Sequence, residues 1–433
     1  MKRNLLLATC VGIGIVAVLC APLSAQTLEI SPKKIMVDEI ATIRATGLNP
    51  NEAISIQGEL IDGRDHRWTS EAKFIADSSG TVDVSKQAPV KGSYKEVSAM
   101  GLVWAMKPAE SHVVVYQSPP DLGAQTIQFH LIRDGKAVAS AQLEQLQVAD
   151  GVRRVNVNGK LHGVLFLPAD SGRHPGVLVL GGSEGGLHPQ RAAWLASHGY
   201  VALALAYFHY EDLPQELDGI PLEYFGTALA WLRERPEVLP DRIAVMGASR
   251  GGELALQLGS MYSQIAAVVA FVPANVRYPA CCDNTRFPYA WTWKGEPLAY
   301  VPRRTLRRPD PLIAMQAAIA VEQTHGPILL IAGQDDGVWD SPAMTAAVAS
   351  RLKDKHFPAR VERLNYPHAG HRAGRPEIVP EWHGEMRHPV SGREMNPGGT
   401  PEGDAESSLD AIPKLLTFLR ESLGVETPAA PSN

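Results

Sequence analysis

Cysteine is scarce in this 433-residue chain, four in all. None of Cys10, Cys20, Cys281 and Cys282 has CxxC spacing or sits in a His cluster of the kind that holds zinc. This argues against a structural metal or a disulfide framework as the scaffold. Cys281 and Cys282 are neighbours and read as two small free apolar residues, with a vicinal disulfide as the alternative in an oxidising compartment. An excess of one charge sign is missing too: 41 Lys and Arg stand against 46 Asp and Glu, a net −5, with no long run of either sign. A nucleic-acid binder would show a basic footprint, so no nucleic-acid partner is expected. What is plentiful is apolar, 45% of the residues against 20% charged. That suffices for a sizeable core and, at roughly 150 residues per domain, for two or three domains.

The N-terminus reads as a separate object. Lys2 and Arg3 precede an apolar stretch over residues 5–21, and Pro22, Leu23, Ser24 and Ala25 add a breaker and a small-residue end. This is the layout of a secretory signal, so residues 1–25 are set apart from the fold and an exported, periplasmic or secreted, location is expected. An uncleaved anchor is the alternative; the stretch is short for a membrane span, and no stable span is expected after cleavage. Cys20 follows Ala17, Val18 and Leu19, which argues against lipidation.

Two textures follow. Residues 26–150 carry short β-rich runs at 41–45, 53–60, 68–75, 81–84, 125–133 and 137–146, divided by turn residues. They predict an all-β, immunoglobulin-like antiparallel sandwich, with a tight hairpin at Asp134-Gly135. Residues 151–425 alternate apolar strand-like runs with helical stretches, as at 176–180, 192–197, 201–206, 222–233 and 242–246. That pattern predicts an α/β domain with a mostly parallel sheet and helices on both faces. Residues 426–433 read as a flexible tail.

The chemistry concentrates in the second texture. The apolar run Arg242-Ile243-Ala244-Val245-Met246 leads into Gly247-Ala248-Ser249-Arg250-Gly251-Gly252 and then a helix-like Glu253-Leu254-Ala255-Leu256-Gln257-Leu258. This is G-x-S-x-G in a strand–turn–helix context, which lifts a Ser oxygen above a sheet and marks Ser249 as the candidate nucleophile. A Ser hydroxyl needs a base and the base an orienting carboxylate. The predicted strand over 327–332 opens onto Gly333-Gln334-Asp335-Asp336, giving Asp336 as orienter and Asp335 as competitor. A helix over 342–353 and a strand over 360–365 lead to Tyr366-Pro367-His368-Ala369-Gly370-His371, where His371 is favoured over His368 as base.

A second oxyanion donor is expected from the loop Gly181-Gly182-Ser183-Glu184-Gly185-Gly186. The backbone N–H groups of Ser183 and Arg250 would form the hole. The same loop lacks G-x-G-x-x-G spacing and a following Lys-Ser/Thr, so it does not read as a nucleotide cradle, and no cofactor is called for. For substrate contact the candidates are Gly182 and Glu184, then Trp291, Trp293, Arg303 and Arg304. The last four lie in residues 276–311, which also carry Tyr278, Phe287, Tyr289, Tyr300, Arg307 and Arg308 and read either as a lid or as a solvated basic loop over a few core aromatics.

Nearly all of the chain after residue 25 resembles the acyl-CoA thioesterase and bile acid-CoA:amino acid N-acyltransferase family. The resemblance rests on Ser31-Pro32-Lys33, Val37-Asp38-Glu39 and Met100-Gly101-Leu102-Val103-Trp104-Ala105, then on Gly151-Val152-Arg153-Arg154-Val155 and Leu203-Ala204-Leu205-Ala206-Tyr207. It continues in Glu211-Asp212-Leu213-Pro214, Leu222-Glu223-Tyr224-Phe225, Gly326-Pro327-Ile328-Leu329-Leu330, Gly333-Gln334-Asp335-Asp336 with Trp339 and Ser341, and Gly370-His371. It implies a β-sandwich ahead of an α/β-hydrolase domain, the triad Ser249, Asp336 and His371, and cleavage of an acyl thioester or ester. Ser at position 249 is similar to the thioesterases, whereas the acyltransferases of the family carry Cys. Residues 276–311 and 372–403 depart from the family pattern. Acyl transfer to an amine or alcohol, a serine peptidase, and a binding module without catalysis are the competing readings.

Overall fold

The computed structural model describes residues 25–282, 284–306 and 310–425. All but the last residue of the signal expected over residues 1–25, Cys10 and Cys20 within it, Arg307 and Arg308, and the tail at 426–433 lie outside the described residues.

The first texture folds as two antiparallel-rich sheets. Thr27–Ser31, Thr42–Thr46 and Val82–Asp83 form one. The other is built on Ala53–Ile61, Arg67–Ile75, Gln125–Arg133 and Lys136–Leu146, with short strands at its edges. Strict alternation sends Ile54, Ile56 and Leu60 inward, with Trp68, Phe74, Ile127, Phe129 and Leu131 facing them from neighbouring strands. These side chains join Ile30 and Ile43 of the other sheet in one core. The expected hairpin is present, with Asp134 and Gly135 both at positive φ (47° and 74°).

The second texture forms one eight-stranded sheet: β1 (Arg153–Val157), β2 (His162–Leu167), β3 (His174–Leu180), β4 (Val201–Ala206), β5 (Val238–Ala248), β6 (Ile265–Phe271), β7 (Ile328–Gly333) and β8 (Val361–Tyr366). Their order is β1-β2-β4-β3-β5-β6-β7-β8, antiparallel as far as β4 and parallel from β4 onward. Five helices flank it: α1 (Pro189–Ser197), α2 (Glu223–Arg233), α3 (Arg250–Met261), α4 (Ser341–Asp354) and α5 (Pro401–Ser422).

The central strands are apolar on both faces because both are covered. Val177, Ala204, Met246, Val269 and Ile331 face α1 and α5, whereas Leu178, Leu205, Val245, Val268 and Leu330 face α2, α3 and α4. Each fully buried Leu or Phe stabilises this arrangement by about 2 kcal/mol. The α1/α5 layer is continuous with the sandwich core. His198 Nε2 meets Asp38 Oδ2 at 2.9 Å, Ile378 N–H donates to the Val37 carbonyl, and Glu381 N–H donates to the Trp104 carbonyl. The sandwich is thus seated against the sheet and the segment after β8.

Among the described residues, none of 276–311 lines the cleft that holds Ser249, so the alternative of a lid is not borne out there. Residues 276–306 run along the α2/α3 flank, where Ile220–Pro221 pairs with Trp291–Trp293. Cys281 and Cys282 form a vicinal disulfide, correcting the expectation of two free thiols. Backbone bonds to Leu217 and a bond from Cys282 N–H to Glu216 Oε2 hold both residues in place, contacts distant in sequence and therefore invisible in composition.

Candidate active site

Ser249 sits between β5 and α3 with φ 56° and ψ −121°. For a residue with a Cβ this is a strained conformation, and it persists only where the surroundings impose it. The glycines show how they do so. A Cβ at Gly247 would run into the Gly251 carbonyl, and one at Gly251 into the Gly181 carbonyl. Strand, helix and neighbouring loop therefore approach at backbone distance, and Ser249 projects at the C-terminal edge of the parallel strands. Its backbone N–H donates to the Phe271 carbonyl at 2.9 Å. Among the described residues its hydroxyl has no hydrogen-bond partner.

Asp336 follows β7 and His371 follows β8, so parallel neighbours deliver them to the same edge. His371 Nδ1 lies 3.0 and 2.9 Å from the two Asp336 oxygens. The Asp336 side chain is fully buried, and its Oδ1 also accepts the Val338 N–H at 2.9 Å. An acceptor on Nδ1 keeps Nε2 available towards the cleft. Asp335 and His368 make a separate, exposed pair 3.5 Å apart, away from this arrangement. Trp339 stacks edge-on against His371 at 5.4 Å and is fixed by its Nε1–H to the Val272 carbonyl.

Ser249 and His371 line one cleft of about 820 Å³. Phe271, Val272, Val338, Met386 and Met395 give it apolar surface. One wall comes from the sandwich, through Arg64, His112, Val114, Val115 and Gln117. A hairpin of Met386–Arg387 and Glu394–Met395 overhangs it, anchored to the sandwich by the Gly384 N–H to the Val114 carbonyl. Val115, Gln117, Arg191 and Arg375 also border a second cavity of about 330 Å³ between sandwich and sheet.

The predicted oxyanion donors lie beside Ser249. Arg250 opens α3, where a first-turn N–H has no intrahelical acceptor. Among the described residues, neither the Arg250 nor the Ser183 backbone N–H has an acceptor. Gly182 approaches Ser249 closely, but its N–H is taken by Glu184 Oε1 at 3.0 Å; of the two, Glu184 lines the cleft. His388 Nε2 holds the Ser183 hydroxyl at 2.9 Å.

Four predicted substrate contacts lie elsewhere. Trp291 is buried, its Nε1–H donating to Glu253 Oε1 at 2.7 Å. Glu253 in turn meets Arg250 Nε at 3.1 Å, and burial pushes this carboxyl above its ordinary range while Arg250 opposes the shift. Trp293 packs edge-on against Tyr262. Arg303 donates to the Ala280 and Cys282 carbonyls, and Arg304 is exposed on the same flank. Trp291, Trp293 and Arg303 found partners on the flank before any substrate could claim them. The arginines that do reach the cleft are Arg64, Arg191, Arg372, Arg375 and Arg387. Two were signalled by position: Arg372 directly follows the base, and Arg191 stands in the first turn after the oxyanion loop.

Two groupings bring three ligand-type atoms within 4.8 Å: Cys281, Cys282 and His388, and His162, Glu211 and Asp212. In the first, both sulfurs are committed to the disulfide. In the second, His162 lies between two exposed carboxylates as an ion-pair arrangement. Neither donor set calls for a metal, and among the described residues no helix is long and apolar enough to cross a membrane.

Comparison with known proteins converges on one family. Residues 38–159 match the family model described as the acyl-CoA thioester hydrolase/BAAT N-terminal region, and residues 220–425 that described as BAAT / acyl-CoA thioester hydrolase C terminal. Acyl-coenzyme A thioesterase 6 of Mus musculus is 32% identical over 94% of this chain and 99% of its own length. Acyl-coenzyme A thioesterase 1 of Mus musculus is 32% identical over 92% and 97%, and the mitochondrial acyl-coenzyme A thioesterase 2 of Homo sapiens 29% identical over 94% and 86%. Among solved structures, an α/β hydrolase from a deep-sea metagenome library is 17% identical with a TM-score of 0.39, covering 64% of this chain and 100% of its own.

Proposed function

Because the chain belongs to the BAAT / acyl-CoA thioester hydrolase family, we propose that this hydrolase cleaves an acyl-CoA or related acyl thioester through Ser249, His371 and Asp336. The observation that carries the reading is His371, paired with the buried Asp336, presented to the same cleft as a strained Ser249 whose hydroxyl has no partner among the described residues. Ser249 Oγ attacks the thioester carbonyl carbon while His371 Nε2 takes its proton, and Asp336 stabilises the imidazolium that forms. The oxyanion sits at the Arg250 and Ser183 N–H groups. Collapse breaks the C–S bond, and the leaving thiolate takes the proton from His371. Water then attacks the acyl-enzyme, giving its proton to His371; the acid departs and Ser249 Oγ is reprotonated. One thioester and one water become one acid and one thiol.

The Asp336–His371 separation supports this choice over Asp335 and His368. The layout of residues 1–25 supports export, and mass spectrometry of the secreted form, showing a chain that starts near residue 26, tests it. For the activity, the purified protein is assayed with CoA thioesters, oxyesters and peptides beside a fluorophosphonate probe. Thioester turnover with labelling that disappears in Ser249→Ala is the expected result. Full turnover or labelling in Ser249→Ala ends the assignment.

A further inference from the structure

Five arginines and two glutamates, Glu184 and Glu385, line the cleft beside Ser249, so it carries an excess of positive charge. Most of these groups have an explanation. Arg372 is bound through Nε and Nη2 to Glu381 Oε2, at 3.0 and 2.9 Å, with both partners buried. Arg64 and Arg387 are exposed at the rim and need no partner but water.

Arg191 differs. It is only partly exposed, and its guanidinium lies 5.3 Å over the Phe271 ring, whose own backbone carbonyl holds the Ser249 N–H. Among the described residues it makes no hydrogen bond and no ion pair. The acids around it are engaged: Glu184 with the Gly182 N–H and His188, Glu377 with Arg375 at 3.5 Å, Glu381 with Arg372. Burial pushes the Arg191 guanidinium below its ordinary value, against the nearby charges of Glu184 and Glu377, as it does for Arg375, where the charge of Arg372 adds to the effect. A half-desolvated guanidinium that no carboxylate hydrogen-bonds is costly unless something completes its bonds. A planar guanidinium recognises a carboxylate or phosphate through two parallel hydrogen bonds.

We infer that Arg191, with Arg375 beside it at the junction of the cleft and the inner cavity, forms a subsite for an anionic group of the substrate. The inference rests on the acyl-transfer chemistry proposed for Ser249 and adds a determinant of substrate choice. The anion is a carboxylate on the acyl chain or a phosphate on the leaving group; the chemistry is the same for the guanidinium.

The full chain and its Arg191→Gln and Arg191→Lys variants are compared on three thioesters: butyryl-pantetheine, which is neutral, glutaryl-pantetheine, which adds a carboxylate, and butyryl-CoA, which adds phosphates. The readout is the ratio of kcat/KM for each anionic substrate over the neutral one. A fall of tenfold or more in the glutaryl ratio in Arg191→Gln, with partial recovery in Arg191→Lys, places a carboxylate at the subsite. The same fall in the CoA ratio places a phosphate there. Unchanged ratios, or an equal loss on all three substrates, overturn the inference and leave Arg191 as packing for Phe271. Calorimetric titration of Ser249→Ala with glutarate and with CoA, with and without Arg191→Gln, reads the subsite even where the chain turns over none of the thioesters. Equal binding with and without Arg191 overturns it there too, whereas weaker binding beside absent turnover faults the reaction and not the subsite.

Discussion

Residues 276–311 and residues 372–403 were both expected to depart from the family pattern; the C-terminal family model runs through both, over residues 220–425, and the two segments take opposite roles. The first carries the aromatic residues and arginines expected of a substrate lid. None of its described residues lines the cleft: Trp291 lies against Glu253 and Arg303 on two backbone carbonyls, while Tyr278 packs against Trp339 and Cys282 meets His388. Residues 372–399 have a composition less suggestive of substrate contact. They leave His371 through Arg372, cross the sandwich through Ile378 and Glu381, and return as the hairpin above Ser249. An aromatic or an arginine marks capacity for contact but does not choose the partner. Partner choice depends on which buried acceptor or apolar face lies within reach once the chain has folded.

The largest effect expected from this contrast is catalytic and confined to the base that precedes residues 372–399 and to its partners. His371→Ala and Ser249→Ala should each lower kcat on the order of 10⁴-fold with the thermal midpoint little changed, as for residues acting as one unit. Asp336→Asn should be similarly severe, because the amide would favour the wrong imidazole tautomer. Asp335→Asn should cost less than about threefold, since Asp335 faces His368 at the surface. A reversed ranking of the two Asp variants in steady-state kinetics would move the orienter.

Residues 276–306 should answer in stability. Trp291→Ala should lower unfolding free energy by about 3–5 kcal/mol in urea titrations, losing a buried ring and the hydrogen bond to Glu253. The folded fraction should keep kcat within a few fold. A variant that stays stable but loses activity would return Trp291 to the site and break the comparison.

A smaller change, in KM, separates the hairpin from the flank. Met386→Ala combined with Met395→Ala should raise KM for medium and long acyl thioesters roughly tenfold, from lost apolar contact in the cleft. The smallest effect is expected of Arg303→Gln with Arg304→Gln. KM should stay within about twofold for charged and neutral substrates alike, and added salt should not discriminate between them. A tenfold rise for anionic substrates in this pair would restore the lid.

How far the sequence could be read divides along the same line. The strands of the large sheet were legible because their apolar runs are buried on both faces, and those of the sandwich because Ile54, Ile56 and Leu60 alternate with partly exposed neighbours. The paired glycines around Ser249 were legible because each stands where backbone meets backbone. The choice between Asp336 and Asp335 could be ranked from chain order but needed the loop geometry, which buries one carboxylate against His371 and leaves the other in solvent. His388 carried no signal at all, since its partner Ser183 lies 205 residues away.

By itself, then, the sequence determined what is local: periodicity, the strand–turn–helix elbow at Ser249, and the placing of an acid and a His after successive strands. These follow from the steric demands of a few consecutive residues and from burial on one or both faces. Tertiary structure alone decided which of the two segments covers the cleft, that the sandwich supplies a wall through Arg64, His112 and Gln117, that Cys281 and Cys282 join, and that Arg191 is left in the cleft without a hydrogen-bonded acid. Those outcomes depend on desolvation and hydrogen bonding between groups far apart in the chain, and that competition is settled only when the whole core has closed.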